Sequence, residues 1–357
     1  MKQYRQTYVE VNLKQIEKNI SKIIKKYNDY KYYFGVVKAD CYGHDTNRVV
    51  KSVIKGGCNY LAVSSLEEAL QIRKSIKDIP ILCIGIILKE YLDICCENNI
   101  TVTIPSLEYA MEIPKKLSKK LKCHIKIDTG MNRIGIKNKD ELEYTYHILK
   151  ERGFNIEGLF THIYDASNSR KSKKQFQVFE KLTENIPLND IPIIHLAQSE
   201  TLTNYPMLPY VNGCRLGIIM YGFTNDETLD LKSTFSLKSQ VIQIKELKKN
   251  ETVGYGGVYK AKNDEIIGIV AIGYADGIIR KNTGRYVYIN NREYKIIGNI
   301  CMDMLMIKID EYVSLYDEVE IIKDIEHMNT IAKHLNTIPY EIMCNITKRV
   351  PRKYIRK

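Results

Sequence analysis

A (β/α)8 barrel followed by a C-terminal, strand-rich domain is the fold class that the sequence predicts, on three observations. Short β-branched or aromatic runs recur along the first part of the chain, charged segments with helical spacing separate them, and beyond residue 233 the pattern changes to period-two alternation. The length of 357 residues suits two domains at about 150 residues each.

The runs lie at 32–40 (YYFGVVKAD), 60–65 (YLAVSS), 79–85 (IPILCIG), 100–105 (ITVTIP), 123–130 (CHIKIDTG), 156–164 (IEGLFTHIY), 191–199 (IPIIHLAQS) and 211–222 (VNGCRLGIIMYG). Residues 66–76, 107–120 and 139–152 are typical of the helical segments between them. Eight such alternations over roughly 220 residues fit an α/β barrel, which takes about 250. A doubly wound sheet is the rival, but no glycine-rich turn follows the first run. The later runs SLKSQVIQIKEL, EIIGIVAIGYADG, YVYINNREYKIIG, MLMIKI and EVEII read as strands of a second domain. Asn290-Asn291 is placed as a hairpin turn, and 327–336 reads as one late helix. The expected domains are therefore 1–232 and 233–357.

Composition excludes several classes. Apolar residues at 44% and charged residues at 27% are those of a globular protein with a large core. No apolar run reaches the roughly 20 residues of a membrane span, and the opening MKQYRQTYVEVN has no signal-peptide core. The nine cysteines are scattered and form no CxxC pair, as expected for reduced thiols in a cytoplasm rather than for disulfides or a metal site. A net charge of +12 invites nucleic acid or an anionic small ligand. No basic run is interleaved with aromatics, and Trp is absent, so nucleic acid is not the expected partner.

In an α/β barrel, chemistry gathers at the carboxyl ends of the strands. Lys38 ends the first run and shares a face with Phe34 and Val36, so its ammonium points inward or over the barrel mouth. A desolvated lysine there suits a Schiff base; a solvated rim lysine is the plain alternative. Alternation in CHIKIDTG puts His124, Lys126 and Asp128 on one interior face, where buried charge needs partners such as Asp128 and Arg133. His162 and His195 sit at later strand ends. Arg215 interrupts an apolar eighth strand, where its guanidinium needs an anion or an acceptor ring nitrogen, and Gly217 and Ile218 offer amides to phosphate near the last strands. Tyr42 and Ser199 add hydroxyls. A lysine nucleophile, a phosphate cradle and basic residues around a ring together describe a pyridoxal 5'-phosphate site.

With these residues in view, the sequence closely resembles the alanine racemase family of fold-type III pyridoxal phosphate enzymes. The blocks that carry the resemblance are VVKADCYGH (36–44), IKIDTGMNRIG (125–135), FTH (160–162), HLAQS (195–199), RLGIIMYG (215–222), TVGYGG (252–257), AIGYADG (271–277), GNICMDMLM (298–306) and RVPR (349–352). The resemblance implies a cytoplasmic isomerase that supplies D-alanine for peptidoglycan. It further implies a head-to-tail homodimer in which each active site is completed by the partner's β domain, with the first few residues joining that domain. By position, Lys38 resembles the lysine that holds the cofactor covalently and then acts as one of two opposed bases, and Tyr255 resembles the second base. Arg215 matches the partner of the pyridine nitrogen, and His162 the histidine that supports Arg215 and the tyrosine. Arg133 matches a contact to the cofactor and the substrate carboxylate, and Lys126 a lysine that is carbamylated in many members. Tyr42, Ser199, Gly217 and Ile218 match phosphate contacts, while Tyr274, Met302 and Asp303 match the entrance and substrate side.

Departures bear on specificity. Lys348 stands where many relatives carry a tyrosine, and Asp40 and Gln198 replace the more usual asparagines. Serine or broad-specificity racemisation is thus the alternative to alanine, with a decarboxylase of related architecture or a non-catalytic pyridoxal phosphate carrier as more distant readings.

Overall fold

A computed structural model describes residues 4–356. Contacts divide it into two compact units: residues 16–41 with 46–231, and the segment up to Gln15 with residues 42–45 and the chain from Lys232 onward. Strand β1 (Tyr8–Asn12) belongs to the second of these.

The first unit is a closed parallel barrel of β2 (Tyr32–Val36), β3 (Tyr60–Val63), β4 (Ile81–Cys83), β5 (Ile100–Ile104), β6 (Lys122–Lys126), β7 (Asn155–Phe160), β8 (Ile193–Gln198) and β9 (Gly213–Leu216), in that order, with β9 pairing back to β2. The eight predicted alternations are present. Their strands are buried on both faces, because helices cover the outside and side chains fill the inside, which is why they read as near-continuous apolar runs. Short polar residues start the helices between them: Ser65, Ser106 and Asn138 each accept a backbone N–H of the first turn.

One detail departs from the alternation argument. Strand β2 stops at Val36, and Lys38–Gly43 forms a left-handed turn with φ of 50° at Ala39, 54° at Asp40 and Cys41, and 55° at Tyr42. Lys38 therefore leaves the strand instead of continuing the face of Phe34 and Val36. For non-glycine residues the left-handed region costs about 1–2 kcal/mol each, so neighbouring contacts must hold this turn. Glu68 Oε1 accepts Ala39 N at 2.7 Å, and Asp40 Oδ1 accepts Thr46 N at 2.8 Å.

The second unit contains β10 (Phe235–Leu247), β11 (Thr252–Val253), β12 (Tyr259–Lys260), β13 (Glu265–Val270), β14 (Tyr286–Ile289), β15 (Arg292–Ile297), β16 (Leu305–Ile309), β17 (Glu318–Ile322) and β18 (Arg352–Ile355). Its main sheet runs β13-β16-β15-β14-β17-β10-β1-β18, and β10 also pairs with β13. Strand β1 lies antiparallel to β10 and parallel to β18, with Val9 opposite Leu237 and Arg352. Of the first few residues, 1 to 3 lie outside those described. Asn290 and Asn291 both take positive φ and close the β14–β15 hairpin. The late helical region is two helices rather than one, Ile325–Leu335 and Pro339–Asn345, because Asn336 ends the first in a left-handed cap and Pro339 starts the second.

Candidate active site

Within the barrel, the strand ends gather cations around His162. Burial, followed by Arg215, Arg133, Lys126 and Lys38, pushes the His162 imidazole down to about 3. The ring is therefore a neutral acceptor or donor, not a cation. Arg215 is buried at the end of β9. Its Nη1 donates to His195 Nδ1 at 2.7 Å and to His195 O at 2.6 Å, and its Nη2 donates to Thr161 O at 2.8 Å and Leu196 O at 3.2 Å. A guanidinium has five N–H donors, so among the described residues these contacts leave Nε–H as the donor they do not take. Burial lowers the guanidinium to about 10, so it stays charged at neutral pH.

The donor logic propagates into the barrel core. Because Arg215 donates to His195 Nδ1, the proton of neutral His195 sits on Nε2 and is donated to His124 Nδ1 at 2.8 Å. Desolvation and Arg215 keep His195 well below the ordinary histidine range and His124 near 3. His195 is sandwiched between Phe34 and Phe160, with ring centroids 4.5 and 4.8 Å away. The support that the resemblance gives to His162 is thus taken by His195: no hydrogen bond joins His162 to Arg215 among the described residues. The adjacency of β8 and β9, with Gln198 opposite Arg215, is the signal that pairs the two.

Lys126 is buried at the end of β6, and its Nζ donates to Ile127 O at 2.7 Å. Desolvation, with Arg215 and Arg133 nearby and Asp128 opposing them, lowers its ammonium to about 7. In the unfolded chain the amine stays protonated to about 10.5, so between these values the unfolded state binds more protons. Stability is therefore expected to rise with pH from about 7 to 10.5, and denaturant unfolding of Lys126→Met should lose that slope. Equal slopes in both proteins would remove the buried ammonium as its source. Asp128 Oδ1 accepts Gly130 N and Asn132 N at 2.9 and 3.1 Å, shaping the turn that carries the exposed Arg133. Gln175 braces the loops beyond β6 and β7 by donating to Thr129 Oγ1 and His162 O, a part that its place in a helix did not suggest.

Ser199 and Gly217 also come together: Gly217 N donates to Ser199 Oγ at 3.0 Å, which leaves the hydroxyl proton of Ser199 free to donate elsewhere. Ile218 opens a short turn to Tyr221, whose leading amides have no partner inside the turn. Tyr42 is buried at the end of the left-handed turn. A ring nitrogen suits the Nε–H of Arg215, and a phosphate suits the amides and hydroxyls at Ser199–Ile218, so the residues present fit pyridoxal phosphate.

The second unit groups the other predicted residues along Asn299–Asp303. Tyr255 is 74% exposed, an unusual position for a large aromatic. It stands between Gly254 and Gly256–Gly257, all at positive φ that only glycine adopts freely, and Asn299 Nδ2 donates to its carbonyl at 2.8 Å. Tyr274 N donates to Cys301 O and Ala275 N to Met302 O, each at 3.0 Å. A side chain at Gly273 would collide with those same carbonyls, at 2.3 and 2.4 Å. Arg349 Nη2 donates to Asp303 Oδ1 at 2.7 Å, while Thr347 Oγ1 donates to Ala275 O at 3.0 Å, so Lys348 is held beside this group. The nine cysteines are thiols rather than disulfides, and no cluster of three or more metal-binding side chains occurs among the described residues. No described helix is long and apolar enough to cross a membrane.

Comparison with known proteins places this arrangement. Residues 11–225 match the alanine racemase N-terminal domain and residues 234–354 the alanine racemase C-terminal domain. An alanine racemase of Halalkalibacterium halodurans is 38% identical, with 99% of this chain and 96% of the relative covered. Alanine racemase 1 of Bacillus subtilis is 34% identical over 99% of this chain and 94% of its own length. Among solved structures, alanine racemase from Bacillus anthracis with bound L-Ala-P superposes with a TM-score of 0.92 at 32% identity, covering 100% of this chain and 97% of that one. Alanine racemase from Clostridium difficile 630 gives a TM-score of 0.92 at 33% identity over the same shares. The chain belongs to the alanine racemase family.

Proposed function

We propose that the protein interconverts L- and D-alanine by passing a proton between two bases, with pyridoxal 5'-phosphate as cofactor, as a cytoplasmic homodimer supplying D-alanine for peptidoglycan. The observation that supports the reading is Arg215, whose buried guanidinium is held by His195, Thr161 and Leu196 through Nη1 and Nη2, which leaves Nε–H as the donor for a pyridine nitrogen. When bound, the cofactor supplies an electron sink that makes the α-proton of an amino acid acidic. Because a guanidinium gives up its proton only above about pH 12 in water, Arg215 keeps the ring nitrogen unprotonated. The sink is then weak, which favours return of a proton to the α-carbon over side reactions.

Lys38 Nζ takes or returns the α-proton on one face, and the phenol oxygen of Tyr255 of the partner subunit does so on the other. Opposite faces invert the centre. Arg133 binds the substrate carboxylate, and Tyr42, Ser199, Gly217 and Ile218 anchor the phosphate. Tyr274, Met302 and Asp303 line the approach and limit side-chain size. Lys126, an amine near neutral pKa in a cationic setting, is suited to capture carbon dioxide as a carbamate, giving an anion to face Arg133.

Racemisation and α-proton exchange in heavy water test the reading. L-alanine should yield D-alanine with deuterium at the α-carbon; a carrier would give no exchange, and a decarboxylase would release carbon dioxide. Lys348 bears on substrate range, because it replaces a bulky phenol by a flexible cation beside Tyr274 and Asp303. The ratio of serine to alanine turnover is expected to fall in Lys348→Tyr, and an unchanged ratio would remove Lys348 as a determinant.

A further inference from the structure

The turn that carries Tyr255 does little to hold its own shape. Gly254 has φ of 70°, Gly256 of 74° and Gly257 of 54°, and none of the three has a side chain to restrict it. Inside the turn, Gly257 N donates to Gly254 O at 3.2 Å. Among the described residues, the hydrogen bond that ties residues 254–257 to another segment of the chain comes from Asn299, whose Nδ2 donates to Tyr255 O at 2.8 Å. Asn299 stands on firmer ground than the turn it holds. Its neighbours Gly298 and Ile300 are buried, and Gly298 lies so close to the strand before the turn that a Cβ there would come within 2.9 Å of Val253 O. The approach is close from the other side too, since a Cβ on Gly254 would sit 3.4 Å from Asn299 O. An exposed, glycine-rich turn is thus pinned by one side chain to a segment anchored in the core.

A proton-transfer group is effective only when its acceptor atom is held within hydrogen-bond reach of the proton it takes. The phenol oxygen of Tyr255 is at the far end of a long, rigid side chain, so a small rotation of the backbone at its Cα displaces that oxygen by much more. The carbonyl that Asn299 holds belongs to that backbone. We infer that Asn299 is a positioning residue for Tyr255: its amide fixes the glycine turn to the 298–300 segment and so sets where the phenol is presented. The inference rests on the two-base reading above. Met302 and Asp303 follow Asn299 in the same run, so the second base and the substrate side take their places from one segment.

The test follows α-proton exchange of each alanine antipode in heavy water by proton NMR, using the holoenzymes of wild type, Asn299→Ala, Asn299→Asp and Tyr255→Phe. Alanine removes the donor, whereas aspartate keeps the shape of asparagine without an N–H to give and serves as the second variant should the first not fold. In either variant, exchange of the antipode that yields its proton to Tyr255 should slow by roughly 10- to 100-fold, the cost of displacing a reacting group by up to about 1 Å. Exchange of the antipode served by Lys38 should stay near wild type, as should the absorbance of the bound cofactor. Turnover should fall with little change in KM. Equal slowing of both antipodes marks a general structural defect and overturns the inference, and so does wild-type exchange in both variants. Should Tyr255→Phe be face-selective while the Asn299 variants are not, this inference alone fails; should Tyr255→Phe itself lack face selectivity, the two-base reading fails and takes the inference with it.

Discussion

Replacing Tyr255 by phenylalanine is expected to slow racemisation in both directions by roughly 10²- to 10⁴-fold, the usual worth of a positioned proton-transfer group. Both directions suffer, because every inversion uses one base on each face. The telling readout is isotopic. With only Lys38 left, one antipode of alanine should still exchange its α-proton with heavy water without inverting, while the other exchanges far more slowly. Wild-type turnover, or equal loss of exchange from both antipodes, would refute the two-base assignment. The 74% exposure of Tyr255, on a turn built from three positive-φ glycines, agrees with a side chain offered to another surface rather than packed into its own unit.

Lys38→Ala should do at least as much damage, at the upper end of the same roughly 10²- to 10⁴-fold range, since it removes both the covalent attachment and the base on the other face. Dialysis should also strip the cofactor more readily from this variant. Lys126 is the rival: it too is an amine in the barrel mouth, lowered to about 7 and therefore nucleophilic. Borohydride reduction of the loaded wild-type protein followed by peptide mapping separates the two. Modification on the peptide containing Lys126, with Lys38→Ala still trapping cofactor, would overturn the assignment. Geometry favours Lys38, which opens a left-handed turn kept in place by Glu68 and Asp40. Sustained backbone strain of that kind persists only where neighbours enforce it, and it clusters at functional positions.

The barrel was legible because parallel strands buried on both faces must be apolar throughout, and because the helices between them must show charge on one side. The hairpin at Asn290-Asn291 was legible for a local reason, as both residues tolerate positive φ. The polar interruptions Lys38, Lys126 and Arg215 stood out because burying charge without a task is costly, His162 stood out at a strand end, and Arg133 as a loop partner for the buried face. What each one touches was not legible. That Arg215 leans on His195, that His195 passes its proton toward His124, and that Gln175 braces two loops depend on which strands become neighbours and in what register. The same holds for the break in alternation at Lys38, for the second late helix, and for the hydrogen bond from Asn299 to the Tyr255 turn. Periodicity and residue chemistry are properties of a local window, so the sequence by itself determined the fold class and the inventory of reactive groups. Hydrogen-bond partners and desolvation come from residues distant in the chain, and only the tertiary structure decided those.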